Sequence, residues 1–321
     1  MRTRLTDALG IEHPVMLAGM GGVSYHQLVA AVSEAGGYGC FGAAAMGSDE
    51  MRSEIRAAKA LTSKPFGVDL LAALPERLET DVALLIEEGA TVFAAGLGVP
   101  RDVIALCHDH NVLVLSMCGK VRHAIAAVEA GCDIVVAQGT EAGGHTGLVA
   151  TMPLVPQMVD AVGERVPVVA AGGIFDGRGL AAALALGADG VWIGTRFIAT
   201  PEAHTAPGYK DALLHTREDG TTISRAFTGK TLRAVANKTT EHFDQHPEEL
   251  RRFPDQMIEA VQGGWLHLGA DEGTPGIDPE RECYPAGQGV GGIDELVPAG
   301  DVVRSIVEEA ERTLDGLLSV R

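Results

Sequence analysis

The stretch "DIVVAQGTEAGGHTG", Asp133–Gly147, carries the pattern on which the fold turns. Ile134, Val135, Val136 and Ala137 run without a polar break into Gln138, and glycines follow with a single histidine, His145, among them. An uninterrupted apolar run predicts a strand covered on both faces, as in a parallel sheet, because a half-solvated strand alternates. The glycine-rich continuation predicts a loop that other groups approach closely.

The same arrangement recurs on both sides of this stretch. Upstream lie "VMLAG" (15–19), "YGCFG" (38–42), "FGVDLL" (66–71), "TVFAAG" (91–96) and "VLVLSM" (112–117); downstream lie "PVVAAG" (167–172) and "GVWIG" (190–194). Between them stand Ala/Leu/Glu-rich segments with helical spacing. "SYHQLVAAVSEAGG" reads as opening on a Ser cap and closing on glycine, and "PERLETDVALLIEEG" opens on proline. Eight strand–helix units predict an α/β fold, a (β/α)8 barrel rather than an open doubly wound sheet.

After Thr200 the rhythm changes. "PGYKDALLHTRED", "GKTLRAVANKTTEHF" and "PDQMIEAVQGGWLHLG" read as helices, which makes residues 201–285 a helical insertion or lid after strand 8. The expected organisation is a barrel over 1–200, this insertion, and a glycine-rich return with a final helix over 286–321. The apolar residues Val302, Val303, Ile306, Val307, Leu314, Leu317 and Leu318 would form one stripe that closes the barrel.

Bulk properties narrow the function. A chain of 321 residues with 46% hydrophobic and 21% charged residues is an ordinary globular protein, and a net charge of −18 disfavours nucleic acid and anionic membranes as partners. Five cysteines without CxxC spacing fit a reducing compartment, the N-terminal stretch "MRTRLTDALG" lacks a hydrophobic run of signal-peptide length, and no segment approaches a membrane span. The expected location is the cytoplasm. The expected partners are small molecules, and the sequence is compatible with a homodimer.

In such a barrel the active site lies at the C-terminal ends of the strands. The glycines of "AAGGIFDG" (170–177) and "GVWIGTRF" (190–197), after the last two strands, read either as plain turns or as an anion cradle; together, at those strands, they favour phosphate. His145 reads as a proton-transfer group, since imidazole titrates near neutrality, against the alternative of a loop histidine bonded to a carbonyl. "GQGVGG" (287–292) matches a dinucleotide fingerprint but follows no strand, "CHDH" (107–110) closes a helix, and His242 and His246 lack the Glu of HExxH. No metal site is expected. Cys118 reads as a small buried filler near the site.

"AQGTEAGGHTG", "VVAAGGI" and "IGTRF", with "HPVMLAGMGGVS" and "GKTLRAVAN", resemble the nitronate monooxygenases, formerly 2-nitropropane dioxygenases, over nearly the whole chain. The group includes NADH:quinone reductases and FMN-type enoyl-acyl-carrier-protein reductases. The resemblance implies a barrel holding FMN non-covalently, with its phosphate against Gly172, Gly173, Gly194 and Thr195. It implies Ala18, Gly19 and Met20 along the flavin ring, Gln138 and Gly143 at the ribityl chain or ring edge, and Gln288 returning to the pocket. His145 corresponds to the family's active-site histidine. Two positions depart from the pattern: Asp69 stands where many relatives have asparagine, and the fifth strand's loop, "SMCGKVRH", lacks a proline after the glycine. Asp69 would act as a carboxylate toward the flavin. Lys120 either compensates charge there or is simply solvated.

Three functions are compatible with these residues. The first is FMN-dependent oxidation of alkyl nitronates by O₂. The second is NAD(P)H-dependent reduction of a quinone or enoyl thioester. The third is a flavin-free barrel for a phosphorylated metabolite; nucleotide dehydrogenases of that kind need a cysteine in the loop after strand six, and this chain has none there.

Overall fold

Every apolar run in the first two hundred residues forms a strand in the computed structural model, which describes residues 1–71, 75–96 and 99–319. The strands are β1 (Val15–Leu17), β2 (Gly39–Gly42), β3 (Phe66–Leu70), β4 (Val92–Gly96), β5 (Leu113–Cys118) and β6 (Ile134–Gln138). A two-residue strand, β7 (Gly144–His145), lies outside this set, and β8 (Val168–Ala171) and β9 (Gly190–Ile193) complete it.

Eight of these strands pair in parallel in the order β1-β9-β8-β6-β5-β4-β3-β2. The ends meet. Met16 bridges Tyr38, the Leu17 N–H donates to the Tyr38 carbonyl at 2.9 Å, and the Tyr38 N–H donates to the Val15 carbonyl at 2.9 Å. The fold is a (β/α)8 barrel.

The uniform hydrophobicity now has a cause. Along each strand, side chains alternate between the barrel interior and the layer under the helices, and both sides are dry. Val136, Leu115, Val169 and Trp192 belong to the interior cluster, whereas Val135, Ala137, Val114 and Val168 pack outward against helices. Leu5 and Leu9 of the first helix, Arg4–Leu9, join the interior cluster and plug the end where β9 begins. A charged residue at either kind of position would be buried without a partner.

Two local expectations are corrected. Ser24 does not cap the helix His26–Glu34: its hydroxyl accepts from the Met20 N–H at 3.2 Å and donates to the Ala18 carbonyl at 2.9 Å, tying the turn after β1. Glu54 takes the capping role by accepting the His26 N–H at 2.9 Å. In the last helix, Ala299–Leu318, Val302, Val303, Ile306 and Val307 are buried and Leu314 is partly so, but Leu317 and Leu318 face solvent. The stripe ends at Leu314, beyond which the helix is exposed. The final two residues of the expected segment, 320–321, lie outside the described residues.

The segment after Thr200 differs most from expectation. It contains the helices Tyr209–His215, Lys238–Gln245 and Asp255–Gln262, but also an antiparallel pair, β10 (Thr221–Ser224) and β11 (Leu232–Val235). "LRAV", read as helix, is therefore a strand, and the helix begins only at Lys238, capped by Asn237, whose side chain accepts from Thr239 and Thr240. Leu, Arg and Ala are good helix formers; pairing on both edges and burial of Leu232 and Ala234 override that preference. These two residues join Ala226, Phe227, Phe243, Ala260, Leu266 and Cys283 in a small core of their own. Among the described residues no helix is long and apolar enough to cross a membrane.

Candidate functional site

A cavity of about 1290 Å³ opens at the C-terminal ends of the barrel strands. Residues after β1 (Ala18, Gly19, Met20), in β3 (Asp69), after β5 (Lys120), at the end of β6 (Gln138), and in the loop beyond it (Gly143, His145) line it. Gly172 and Gly173 after β8, and Gly194 and Thr195 after β9, complete the ring. The parallel sheet brings these positions together because every strand ends on the same rim. Gln288 is the exception and is corrected: it is exposed, in the short turn Gln288–Gly292, and only its backbone N–H points inward, to the Glu141 carbonyl at 2.9 Å. Its neighbours Gly287 and Gly289 line the cavity instead.

His145 is held by the insertion rather than by its own loop. It sits in β7, paired antiparallel with β11 so that His145 lies opposite Leu232 and Gly144 opposite Arg233. Its Nε2 hydrogen-bonds Thr228 Oγ1 at 2.9 Å, and its carbonyl accepts from Gln138 Nε2 at 3.0 Å. The ring still presents surface to the open cavity. Burial by the surrounding protein lowers its pKa, and the nearby Lys230 ammonium lowers it further, so the neutral imidazole is favoured. Lys230 itself lines the cavity, with its ammonium 4.0 Å from the Phe253 ring centroid. Neither Thr228 nor Lys230 is singled out by the sequence reading. Lys230 enters the sequence reading only as part of "GKTLRAVAN", and the helical propensity of those residues conceals the turn toward His145.

The last two barrel strands, β8 and β9, run into glycine turns. Gly172 (φ 109°) and Gly173 (φ 74°) adopt a conformation that other residues rarely reach. Among the described residues, the N–H groups of Gly172, Gly173, Gly194 and Thr195 have no protein acceptor. The Thr151 hydroxyl donates to the Gly172 carbonyl at 3.0 Å, and the Glu141 carboxylate accepts the Thr151 N–H at 2.7 Å, which fixes the carbonyl side of the turn and leaves the N–H side open.

Asp69 lies against Gly19, where a Cβ would overlap the Asp69 side chain. Burial raises the Asp69 carboxyl well above the usual carboxylate range. Lys120 borders the cavity at the start of the helix Val121–Ala130, and no carboxylate among the described residues lies within ion-pair distance of it. Cys118 is 1% exposed, and burial pushes its thiol up to about 11, so it is a thiol rather than a thiolate nucleophile. His242 bonds Glu249 at 2.8 Å on the surface, and the ligand atoms of His246, Glu248 and Glu249, all exposed, lie within 4.8 Å of one another beside it.

The sequence model of the nitronate monooxygenases matches residues 2–309. The chain belongs to this family. Members are FMN-dependent oxidoreductases, and the chain is an enzyme of that class. Among solved structures, FabK from Thermotoga maritima is similar over 100% of both chains, with 36% identity and a TM-score of 0.90. A nitroalkane oxidase from Streptomyces ansochromogenes is similar over 97% of this chain and 99% of its own, with 32% identity and a TM-score of 0.82. A curated relative from Rhodococcus jostii, the (3aS,4S,5R,7aS)-5-hydroxy-7a-methyl-1-oxo-octahydro-1H-indene-4-carboxyl-CoA dehydrogenase, is 35% identical over 100% of this chain and 99% of its own. The family thus spans different substrates on one barrel, and the family alone does not select among them.

Proposed function

We propose that this nitronate monooxygenase family member holds FMN across the barrel mouth and oxidises alkyl nitronates with O₂ to a carbonyl compound and nitrite. The observation that carries the reading is the meeting, in one cavity, of the His145 imidazole with four unengaged N–H groups on the last two strand ends. The residues fit the cofactor. Gly172 and Gly173 offer a positive-φ cradle that a side chain would strain, and about 1290 Å³ exceeds the usual volume for one drug-sized ligand, leaving room for cofactor and substrate together.

FMN, when bound, supplies two-electron redox chemistry that no side chain carries. The N–H groups of Gly172, Gly173, Gly194 and Thr195 would hold its phosphate. Ala18, Gly19 and Met20 would border the ring, and Gln138, Gly143, Asp69 and Lys120 would meet its edges. His145 removes the α-proton of a neutral nitroalkane or orients the nitronate oxygens. Its lowered pKa keeps the proton-accepting form populated at neutral pH. Lys120 and Lys230 on the cavity wall favour an anionic substrate in a chain that is otherwise strongly negative. Residues 201–285 supply the wall above the mouth, including Lys230, and act as its lid.

A second reading is favoured by the TM-score of 0.90 to FabK: NAD(P)H-dependent reduction of a quinone or enoyl thioester at the same site. Anaerobic mixing separates the two. Butyl nitronate bleaches the flavin absorbance rapidly under the first reading. Rapid bleaching by NADH or NADPH, with none by nitronate, assigns the protein to the second.

A further inference from the structure

Two imidazoles and two carboxylates converge at the C-terminal end of the helix Lys238–Gln245, and none of the four borders the cavity. His242 and His246 stand four residues apart and so share one side of the helix, with ring centroids 4.9 Å apart. The helix stops at His246, and Pro247 opens a single tight turn, Pro247–Glu249. That turn carries Glu248 and Glu249 back against the imidazoles. The glutamate that HExxH would place on the helix is missing, but the chain beyond the helix brings two carboxylates to the same histidines.

The distances suit a shared ion. His246 Nδ1 lies 3.5 Å from Glu248 Oε1, and His242 Nε2 lies 2.8 Å from Glu249 Oε2. One ligand atom from each of His246, Glu248 and Glu249 lies within 4.8 Å of the other two. Ligands held about 2.1 Å from a tetrahedral ion stand about 3.4 Å from one another, a gap that rotation of exposed side chains closes. The charges favour an ion as well. Adjacent carboxylates repel, and among the described residues neither Glu248 nor Glu249 has a lysine or arginine within ion-pair distance; their partners are the two imidazoles. The guanidinium of Arg251 pairs instead with Glu259 at 2.9 Å.

We propose that His246, Glu248 and Glu249 bind a divalent transition-metal ion of the zinc class, with His242 orienting the Glu249 carboxylate from behind. A donor set of imidazole nitrogen with carboxylate oxygen suits zinc, whereas calcium and magnesium take oxygen ligands. The three ligands are exposed, so water completes the coordination. The role is structural. The turn leads within four residues to Phe253, which borders the cavity under the Lys230 ammonium, so the bound ion ties the end of the helix to the segment that carries Phe253. This site stands apart from the proposed reaction and does not rest on it.

Isothermal titration of zinc chloride into the tag-free holoenzyme at neutral pH provides the test. The wild type is expected to take up one tight equivalent per chain, undisturbed by excess magnesium or calcium. H246A weakens that equivalent by about a hundredfold or more, and H242A, which removes only the orienting group, by about tenfold to a hundredfold. H215A, an exposed histidine beside Asp211 elsewhere on the insertion, leaves it unchanged. Zinc raises the melting temperature of the wild type and not that of H246A, because an ion that binds only the folded chain stabilises it. Melting curves without zinc report whether each variant is folded, and E249Q replaces H246A if the latter is not. No tight equivalent in the wild type, an equivalent that survives H246A, or displacement of zinc by calcium overturns the proposal.

Discussion

The barrel and the insertion use similar residues by different rules. In the barrel consecutive strands are joined by helical crossovers, and the apolar run that buries both faces is written locally in the chain. In the insertion, β11 pairs with β10 across a short loop and also with β7, far earlier in the chain, so its identity depends on a partner outside its own neighbourhood. The barrel provides a rim on which glycines and polar side chains converge. The segment after Thr200 adds Thr228 and Lys230 beside His145. Scaffold and tuning thus come from separate parts of the chain.

Substitutions on each side sharpen this division. The largest effect is expected for H145N, which removes the titrating ring at the rim: turnover of neutral nitroalkanes falls by about 10²–10⁴-fold in steady-state assays while flavin absorbance is retained. Retained turnover would exclude proton removal by His145. Next comes G173A in the cradle. Its positive φ costs an alanine about 1–2 kcal/mol, and the new Cβ would lie 3.2 Å from that of Glu141, so FMN affinity measured by fluorescence recovery drops by roughly tenfold or more.

On the insertion side, T228V deletes the hydroxyl on His145 Nε2 and should lower kcat by roughly tenfold or less, with FMN affinity intact. The smallest effect is a displacement of pH dependence by K230M. Burial leads in lowering the His145 pKa and the Lys230 charge adds to it. Removing that charge stabilises the imidazolium, so the pKa rises toward its ordinary value. Activity on neutral nitroalkanes, which needs neutral imidazole, is then lost at a higher pH on acidification than in the wild type. An unmoved acidic limb would show that the insertion does not tune His145.

How far the sequence was legible mirrors the same division. The eight barrel strands could be read because burial on both faces leaves an unbroken apolar run, and the strand ends pointed to the glycine loops after the last two strands and to the loop of His145, whereas Ala18, Gly19, Met20, Asp69 and Lys120 came only from the family resemblance. The segment Leu232–Val235 could not, because helix-forming residues became strand through pairing. Thr228 and Lys230 escape a sequence reading for the same reason: they reach His145 only through β11 and its pairing with β7. Gln288 was misjudged in the other direction, since a tight turn sends its side chain out and leaves only backbone facing the site. The upward shift of the Asp69 carboxyl comes from its surroundings in the fold, which composition does not display.

The account depends most on where the cofactor's phosphate lies, and a crystal structure of the flavin-loaded enzyme measures that directly. The prediction is a phosphate within hydrogen-bond distance of the N–H groups of Gly172, Gly173, Gly194 and Thr195, with the ring beneath His145. A phosphate bound elsewhere, or an isoalloxazine ring out of reach of that imidazole, would contradict it.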